Sequence, residues 1–139
     1  MDGKSRPPAG PRGAVGAAAE DAAAAHLDAL GWSVLARNLR VGVVELDIVA
    51  LEPGRRPTLV IVEVRSRSGP GFGTAVESVD GRKVLRLYRA ALSLRRAGHP
   101  ALALEEVAPV SWRVDLLALR RATGTAWWVE HHLRGLMPP

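Results

Sequence analysis

Residues 43–50 read VVELDIVA, a run of apolar and β-branched residues interrupted by two carboxylates. β-branched residues are typical of strands, and side chains alternate between the two faces of a strand. A second run, LVIVEVRSR at residues 59–67, has the same character and places Glu63 and Arg65 on one face. If the two strands are neighbours, Asp47 converges with this pair near one end of a sheet.

Two kinds of cation would make these buried charges tolerable, because an uncompensated buried carboxylate costs several kcal/mol. The first is a divalent metal, Mg²⁺ or Mn²⁺, bound by the carboxylates of Asp47 and Glu63 and by a backbone carbonyl such as that of Val64. Such a metal polarises a phosphodiester and activates an attacking water. The second is Arg65, which would neutralise Asp47 or Glu63 in a structural ion pair. The spacing of the residues is compatible with both.

Composition limits the class of protein. A chain of 139 residues is the size of one domain, and its net charge of +5 favours a polyanion such as nucleic acid as partner. There is no cysteine, and no stretch approaches the ~18 apolar residues of a membrane span. We therefore expect a cytoplasmic protein with no membrane partner, made of a disordered tail at residues 1–13 and a single domain at residues 14–139.

The pattern of apolar residues and glycines predicts an α/β fold with a central mixed β-sheet flanked by helices, in the order α-β-β-β-α-β-β. The predicted helices cover residues 17–30 and about 79–97. The predicted strands cover residues 32–41, 43–51, 58–67, 111–119 and 126–133, the first three forming a meander and the last an edge strand.

Basic residues on the second helix and after the third strand are candidates for binding phosphates, each contact adding roughly 0.9 to the salt dependence of binding. The predicted nucleic-acid-binding residues are Arg67, Arg82, Lys83, Arg86 and Arg89. A solvated helix face in an arginine-rich chain is the alternative. Of the adjacent Trp127 and Trp128 in the edge strand, one is expected to pack and the other to be exposed, where it could stack on a base or contact a partner.

The order of the motifs resembles that of the uncharacterised bacterial YraN-like family, whose fold looks like that of the PD-(D/E)xK (restriction endonuclease-like) nucleases and Holliday-junction resolvases. GAAAE at residues 16–20 is similar to the family's Gly-x-x-Gly-Glu, with alanine for the second glycine. VELDIVA at residues 44–50 matches its Gly-Glu-Ile-Asp-Leu-Ile-Ala, with valine for the glycine. IVEVR at residues 61–65 matches its Phe-Val-Glu-Val-Lys, with Arg65 for the lysine.

The resemblance implies a restriction endonuclease-like core in which Asp47 and Glu63 bind the metal and Glu20 completes an acidic cluster. It assigns the lysine's catalytic role to Arg65, which stays protonated and therefore cannot act as a base. The implied function is Mg²⁺-dependent binding of DNA, branched or single-stranded, with endonuclease activity, and a homodimer is compatible with cutting both strands. The alternative is a catalytically degenerate DNA-binding or protein-interaction module in which Asp47, Glu63 and Arg65 form a closed ion-pair network.

Overall fold

The computed structural model of the protein describes residues 11–68, 79–107, 109, 111–121, 124 and 126–138. Residues 1–10 of the predicted tail lie outside this description. In chain order the elements are α1 (Pro11–Ala29), β1 (Ser33–Val41), β2 (Val44–Glu52), β3 (Thr58–Ser68), α2 (Gly81–Ala97), α3 (Leu104–Val107), β4 (Ser111–Arg121) and β5 (Trp128–Leu133).

The five strands form one mixed sheet in the order β1-β2-β3-β4-β5. The first three strands are an antiparallel meander, β4 runs parallel to β3, and β5 pairs antiparallel with β4 at the edge. A parallel pair needs a crossover connection, which the segment containing α2 and α3 supplies between β3 and β4. The predicted α/β fold, its mixed sheet and its flanking helices are confirmed.

The two long helices pack on opposite faces of the sheet, since each contributes to a separate apolar cluster. Helix α1 packs with alternate residues of β2, β3 and β4 in one cluster, whose buried members are Ala23, Leu27, Trp32, Ile48, Ala50, Val60, Val62, Leu117 and Leu119. Helix α2 packs with the intervening residues in the other, whose buried members are Leu39, Leu46, Val49, Leu59, Ile61, Leu87, Ala90, Ala91, Leu94, Leu102 and Val114. Any polar side chain on the sheet therefore faces either the α1 side or the α2 side.

Helix α2 follows its sequence pattern closely. Its buried residues recur at spacings of three and four, as expected for a helix with one apolar face. Asp80 caps the N-terminus by accepting the backbone N–H of Lys83 at 2.9 Å, and the C-terminus closes at Gly98, which has φ of 67°. This cap fixes where the first turn begins, and with it the position of Lys83.

Helix α1 begins at Pro11, earlier than the start predicted at residue 17. Proline is tolerated in the first turn of a helix because its missing N–H would have no partner there. The short helix α3 was not predicted, since four residues are too few to show a periodicity. None of the helices in the described parts of the chain has the length and apolar character required to cross a membrane.

Candidate functional site

Asp47 and Glu63 lie side by side where β2 and β3 separate. The antiparallel register of these strands runs from Glu52↔Thr58 to Ile48↔Val62, and the next residue on each strand is one of the two carboxylates. Beyond this point β3 continues to pair with β4 as far as Ser68. The Asp47 carboxylate reaches the freed edge of β3, where its Oδ2 accepts the backbone N–H of Val64 at 2.8 Å. The predicted convergence of the two carboxylates is therefore present.

The local backbone explains why Asp47 is turned toward β3. Leu46 packs in the cluster under α2 and Ile48 in the cluster under α1, although residues two apart in a regular strand share a face. On the neighbouring strand, Asn38 lies between the residues paired with these two and has φ of 52°, in the left-handed region. Both strands are thus irregular beside Asp47. Irregularities of this kind change the direction in which a side chain points and are common next to functional sites.

Glu63 is the more deeply buried carboxylate, with 4% of its side chain exposed. Burial raises its pKa to about 7, and repulsion by the Asp47 carboxylate adds to the effect of burial. Burial likewise raises the pKa of Asp47. The hydrogen bond from the Val64 N–H favours the ionised form and opposes this effect, but burial outweighs it. The two carboxyl groups also share a hydrogen bond, which acts to raise the pKa of Glu63 and to lower that of Asp47.

Two cations contact the Glu63 carboxylate, and both contact the same oxygen. Arg65 Nη2 lies 3.0 Å from Glu63 Oε2, and Lys83 Nζ lies 3.9 Å from that atom. The other oxygen, Glu63 Oε1, is buried and, apart from the proton shared with Asp47, has no hydrogen-bond donor among the described residues. The predicted Arg65 ion pair therefore exists, but it satisfies only one side of the carboxylate.

The donor set fits a hydrated divalent cation. Mg²⁺ prefers oxygen ligands and is usually bound by one or two carboxylates, with water and substrate phosphate filling the remaining positions. Asp47 and Glu63 supply two carboxyl groups that share a hydrogen bond, and a metal would take the place of the shared proton. Apart from that proton, Glu63 Oε1 has no donor among the described residues. Over the same part of the chain, no three His, Asp or Glu side chains come together as a ready-made cage.

Glu20 does not join the carboxylate pair, so the predicted three-member acidic cluster is not formed. It lies on α1, which covers the sheet face opposite to α2, and its Oε1 is 3.9 Å from Arg37 Nη2. Arg37 also contacts Asp21 at 2.8 Å. Ile61 packs under α2, and Glu63, two residues further along β3, lies on the same face of the sheet. Glu63 therefore faces away from α1, the helix that carries Glu20.

The predicted nucleic-acid-binding residues fall into two groups. Arg67, Arg82, Arg86 and Arg89 are exposed, the first on β3 beyond Glu63 and the other three on α2. Lys83 stands apart from them, since its side chain is 24% exposed and points to Glu63. The structure therefore places Lys83 in the carboxylate site.

A second polar centre surrounds Asp115, which is fully buried on the α1 side of β4. Its carboxylate accepts bonds from Arg113 Nε at 2.7 Å and Nη2 at 3.0 Å, from His132 Nε2 at 2.9 Å and from the Gly135 N–H at 3.0 Å. Burial acts to raise the pKa of Asp115, but these bonds outweigh burial and lower it.

This centre holds the C-terminal segment against the sheet. Arg113 Nη1 also donates to Glu52 Oε1 at 2.7 Å. The other oxygen of Glu52, Oε2, accepts a bond from Arg134 Nη1 at 2.6 Å. Sequence reasoning assigned no role to Asp115. The signal that identified Asp47, a carboxylate within a strongly apolar strand, is present again in RVDLLAL at residues 113–119 and could have identified Asp115.

Comparison with known proteins agrees with the resemblance drawn from the motifs. Residues 19–119 match the model of a family described as "Uncharacterised protein family UPF0102". This span includes α1 from Ala19 onward, the carboxylate pair, all of α2 and most of β4.

Individual relatives carry the same family name. A UPF0102 protein of Sorangium cellulosum is 46% identical over 91 residues, which cover 66% of this chain and 61% of the relative. One from Deinococcus radiodurans is 48% identical over 87 residues, covering 62% of this chain and 69% of the relative. One from Mycolicibacterium smegmatis is 40% identical over 109 residues, covering 78% and 82%. The chain thus spans about three fifths of the Sorangium relative and most of the mycobacterial one. It belongs to the uncharacterised protein family UPF0102, the YraN-like family that its motifs indicate.

Proposed function

We propose that the protein binds nucleic acid and hydrolyses phosphodiester bonds with Mg²⁺ or Mn²⁺ at the Asp47–Glu63 pair. The observation that carries this proposal is the buried carboxyl pair: Glu63 has a raised pKa, and apart from the proton it shares with Asp47 its Oε1 has no hydrogen-bond donor among the described residues. A purely structural ion pair would be expected to satisfy both oxygens of a buried carboxylate. Perturbed carboxylates of this kind are characteristic of functional sites.

The residues that would hold the metal are Asp47, Glu63 and the backbone carbonyl of Val64. When bound, the divalent ion supplies charge neutralisation at the phosphate and lowers the pKa of a coordinated water. The protein's own contribution is to exclude bulk water from Glu63 and to fix Asp47 through the Val64 N–H bond of 2.8 Å. A carboxylate fixed in this way loses little rotamer freedom on binding.

Arg65 and Lys83 have separate roles in this proposal. The guanidinium of Arg65 remains protonated, and its planar fork suits the non-bridging oxygens of a phosphate on which negative charge develops. About a third of the Arg65 side chain is exposed, so part of it remains accessible to a phosphate while Nη2 contacts Glu63. Lys83 presents a compact ammonium to Glu63 from the helix and can hold a water there. In this proposal Lys83 would thus supply, from α2, the ammonium group that the family motif carries on β3, where this chain has Arg65.

The exposed arginines would bring the substrate to the site. Arg82, Arg86 and Arg89 lie on the same helix as Lys83, and Arg67 lies on the same strand as Glu63. A phosphate backbone crossing from the helix to the end of β3 would therefore pass over the carboxylates. The resolvase likeness favours DNA, branched or single-stranded, as substrate, and a homodimer is the arrangement that would place two such sites on two strands.

One observation favours a second function. The 3.0 Å contact between Arg65 and Glu63 is a close ion pair and could persist in the presence of metal. In that case the chain would be a non-catalytic DNA-binding or protein-interaction module with a nuclease-like core. Arg65 is the residue that separates the two functions, because a lysine there would restore the family motif.

Cleavage assays distinguish the two functions. Labelled linear duplex, single-stranded DNA and a four-way junction are incubated with Mg²⁺ or Mn²⁺ and wild type, Asp47→Ala or Arg65→Lys. We expect metal-dependent cleavage that Asp47→Ala abolishes. Binding without cleavage by the wild type and by Arg65→Lys would refute the catalytic proposal and support the binding module.

A further inference from the structure

A row of three side chains crosses the sheet beyond the carboxylates. Arg67 on β3 is paired with Arg120 on β4, and Arg120 is paired with Trp128 on β5. Partners in adjacent strands lie on the same face of the sheet. Arg67, Arg120 and Trp128, here called the distal row, therefore share one face.

The packing of the neighbouring tryptophan shows which face this is. Trp127 packs against the cluster under α1. Trp128 follows it directly in the edge strand, so its side chain points to the opposite face, the one that carries Glu63. The same alternation along β3 places Arg65 and Arg67 on the face of Glu63. The distal row and the carboxylate site are thus parts of one surface.

This part of the surface is accessible. Among the described residues, the main contacts of α2 with the sheet are to β1, β2 and β4, and the main helix contact of β5 is with α1. Trp128 is 44% exposed, which is unusual for the largest apolar side chain in a chain of this size. His131, on the same face of β5, is also exposed. Among the described residues, this face therefore carries exposed aromatic and basic side chains, those of Arg67, Trp128 and His131, between the site and the sheet edge.

The geometry relates the row to the carboxylates. Arg67 is four residues beyond Glu63 on β3, which corresponds to about 13 Å along a strand, and Trp128 is two strands away, about 10 Å across the sheet. Within the row Arg120 is held by Glu130 at 2.8 Å, so its charge is largely balanced. The exposed cation of the row is Arg67, and the exposed ring is that of Trp128.

We propose that the distal row binds a single-stranded segment of nucleic acid and leads it to the carboxylate site, with a base stacked on Trp128 and a phosphate on Arg67. The identity of the substrate as single-stranded rests on the proposed function. An aromatic ring on an open sheet face can stack only on a base that is not already stacked and paired. Arg67 matches the charge of the backbone, and a sheet face presents no helix or two-stranded ribbon that could enter the major groove of a duplex.

The test measures binding in buffer without divalent metal and with EDTA, so that metal-dependent cleavage cannot interfere. Fluorescein-labelled oligo-dT, oligo-U and a linear duplex are titrated by anisotropy with wild type, Trp128→Ala, Trp128→Phe and Arg67→Gln. Leu133→Ala is the matched control, since Leu133 is also an exposed apolar residue on this face of β5.

Base–aromatic stacking predicts that Trp128→Ala weakens binding of oligo-dT or oligo-U about fivefold or more and leaves duplex binding unchanged. Trp128→Phe, which keeps a ring, should retain most of the affinity, and Arg67→Gln should lower the salt dependence of binding. Equal losses on single strand and duplex, no loss with Trp128→Ala, or an equal loss with Leu133→Ala would overturn the proposal. A selective loss on either oligo-dT or oligo-U supports the proposal.

Asp47→Asn separates this inference from the proposed function. If the wild type shows no metal-dependent cleavage while Trp128→Ala still lowers single-strand affinity selectively, the distal row is supported and the nuclease proposal fails. If cleavage depends on Asp47 but Trp128→Ala has no effect on single-strand binding, the nuclease proposal stands and the distal row fails.

Discussion

Replacing Glu63 by glutamine should stabilise the metal-free protein at alkaline pH. The pKa of Glu63 is raised from 4.5 to about 7 in the folded chain, chiefly by burial. Between these values the native state holds a proton that the unfolded state has released, so stability falls as pH rises through this window and levels off above it. The difference corresponds to about 3 kcal/mol. Glu63→Gln removes the titrating group and should gain up to this amount at pH 8, with little change at pH 4.5.

Urea unfolding followed by tryptophan fluorescence, at pH 4.5 and pH 8 with EDTA present, measures the effect as a difference between wild type and variant. Glu45→Gln is the matched control, because Glu45 is an exposed carboxylate on the adjoining strand and should show no such difference. If Glu63→Gln were less stable than wild type by the same amount at both pH values, Glu63 would be an ionised and stabilising partner of Arg65. The reasoning about its burial would then be refuted.

Three further variants test the fold and the site. Asp115→Ala leaves Arg113 without its buried partner and should lower the free energy of unfolding by about 3–5 kcal/mol, measured by urea unfolding. Leu87→Ala removes a fully buried side chain between α2 and the sheet and should lower it by about 2–5 kcal/mol in the same assay. Lys83→Gln should reduce single-turnover cleavage about 10²-fold at saturating DNA without changing the salt dependence of binding, whereas Arg86→Gln should reduce that dependence by about 0.9. A reduction in salt dependence with Lys83→Gln would instead make this lysine a phosphate contact.

The sequence was sufficient for most of the fold because its elements are marked locally. Strands β1 to β3 are separated by turn residues, and the apolar spacing of α2 agrees with its cap at Asp80. The convergence of Asp47 and Glu63 followed from the short meander connection between β2 and β3, whereas the break in alternation at Leu46 was not predicted. Such a connection leaves few registers in which both apolar faces remain buried.

Features that depend on long-range packing were not accessible in this way. The parallel register of β3 and β4 brings Arg67 level with Arg120, and this pairing joins strands that are separated by more than 40 residues, so no local motif specifies it. The placement of Glu20 on the face opposite to Glu63 likewise depends on which side of the sheet α1 covers. Lys83 was assigned to a basic helix face because spacing alone does not show that the first turn of α2 reaches the carboxylates.

Binding of Mn²⁺ to the wild type, Asp47→Asn and Glu63→Gln, measured by isothermal titration calorimetry at pH 6 and pH 8, tests most directly whether the carboxylate pair is a cation site. Because the metal requires ionised ligands, we predict one site per chain that binds more tightly at pH 8 than at pH 6 and is lost in both variants. Equal binding by all three proteins, or no binding by the wild type at pH 8, would contradict the assignment of a divalent cation to Asp47 and Glu63.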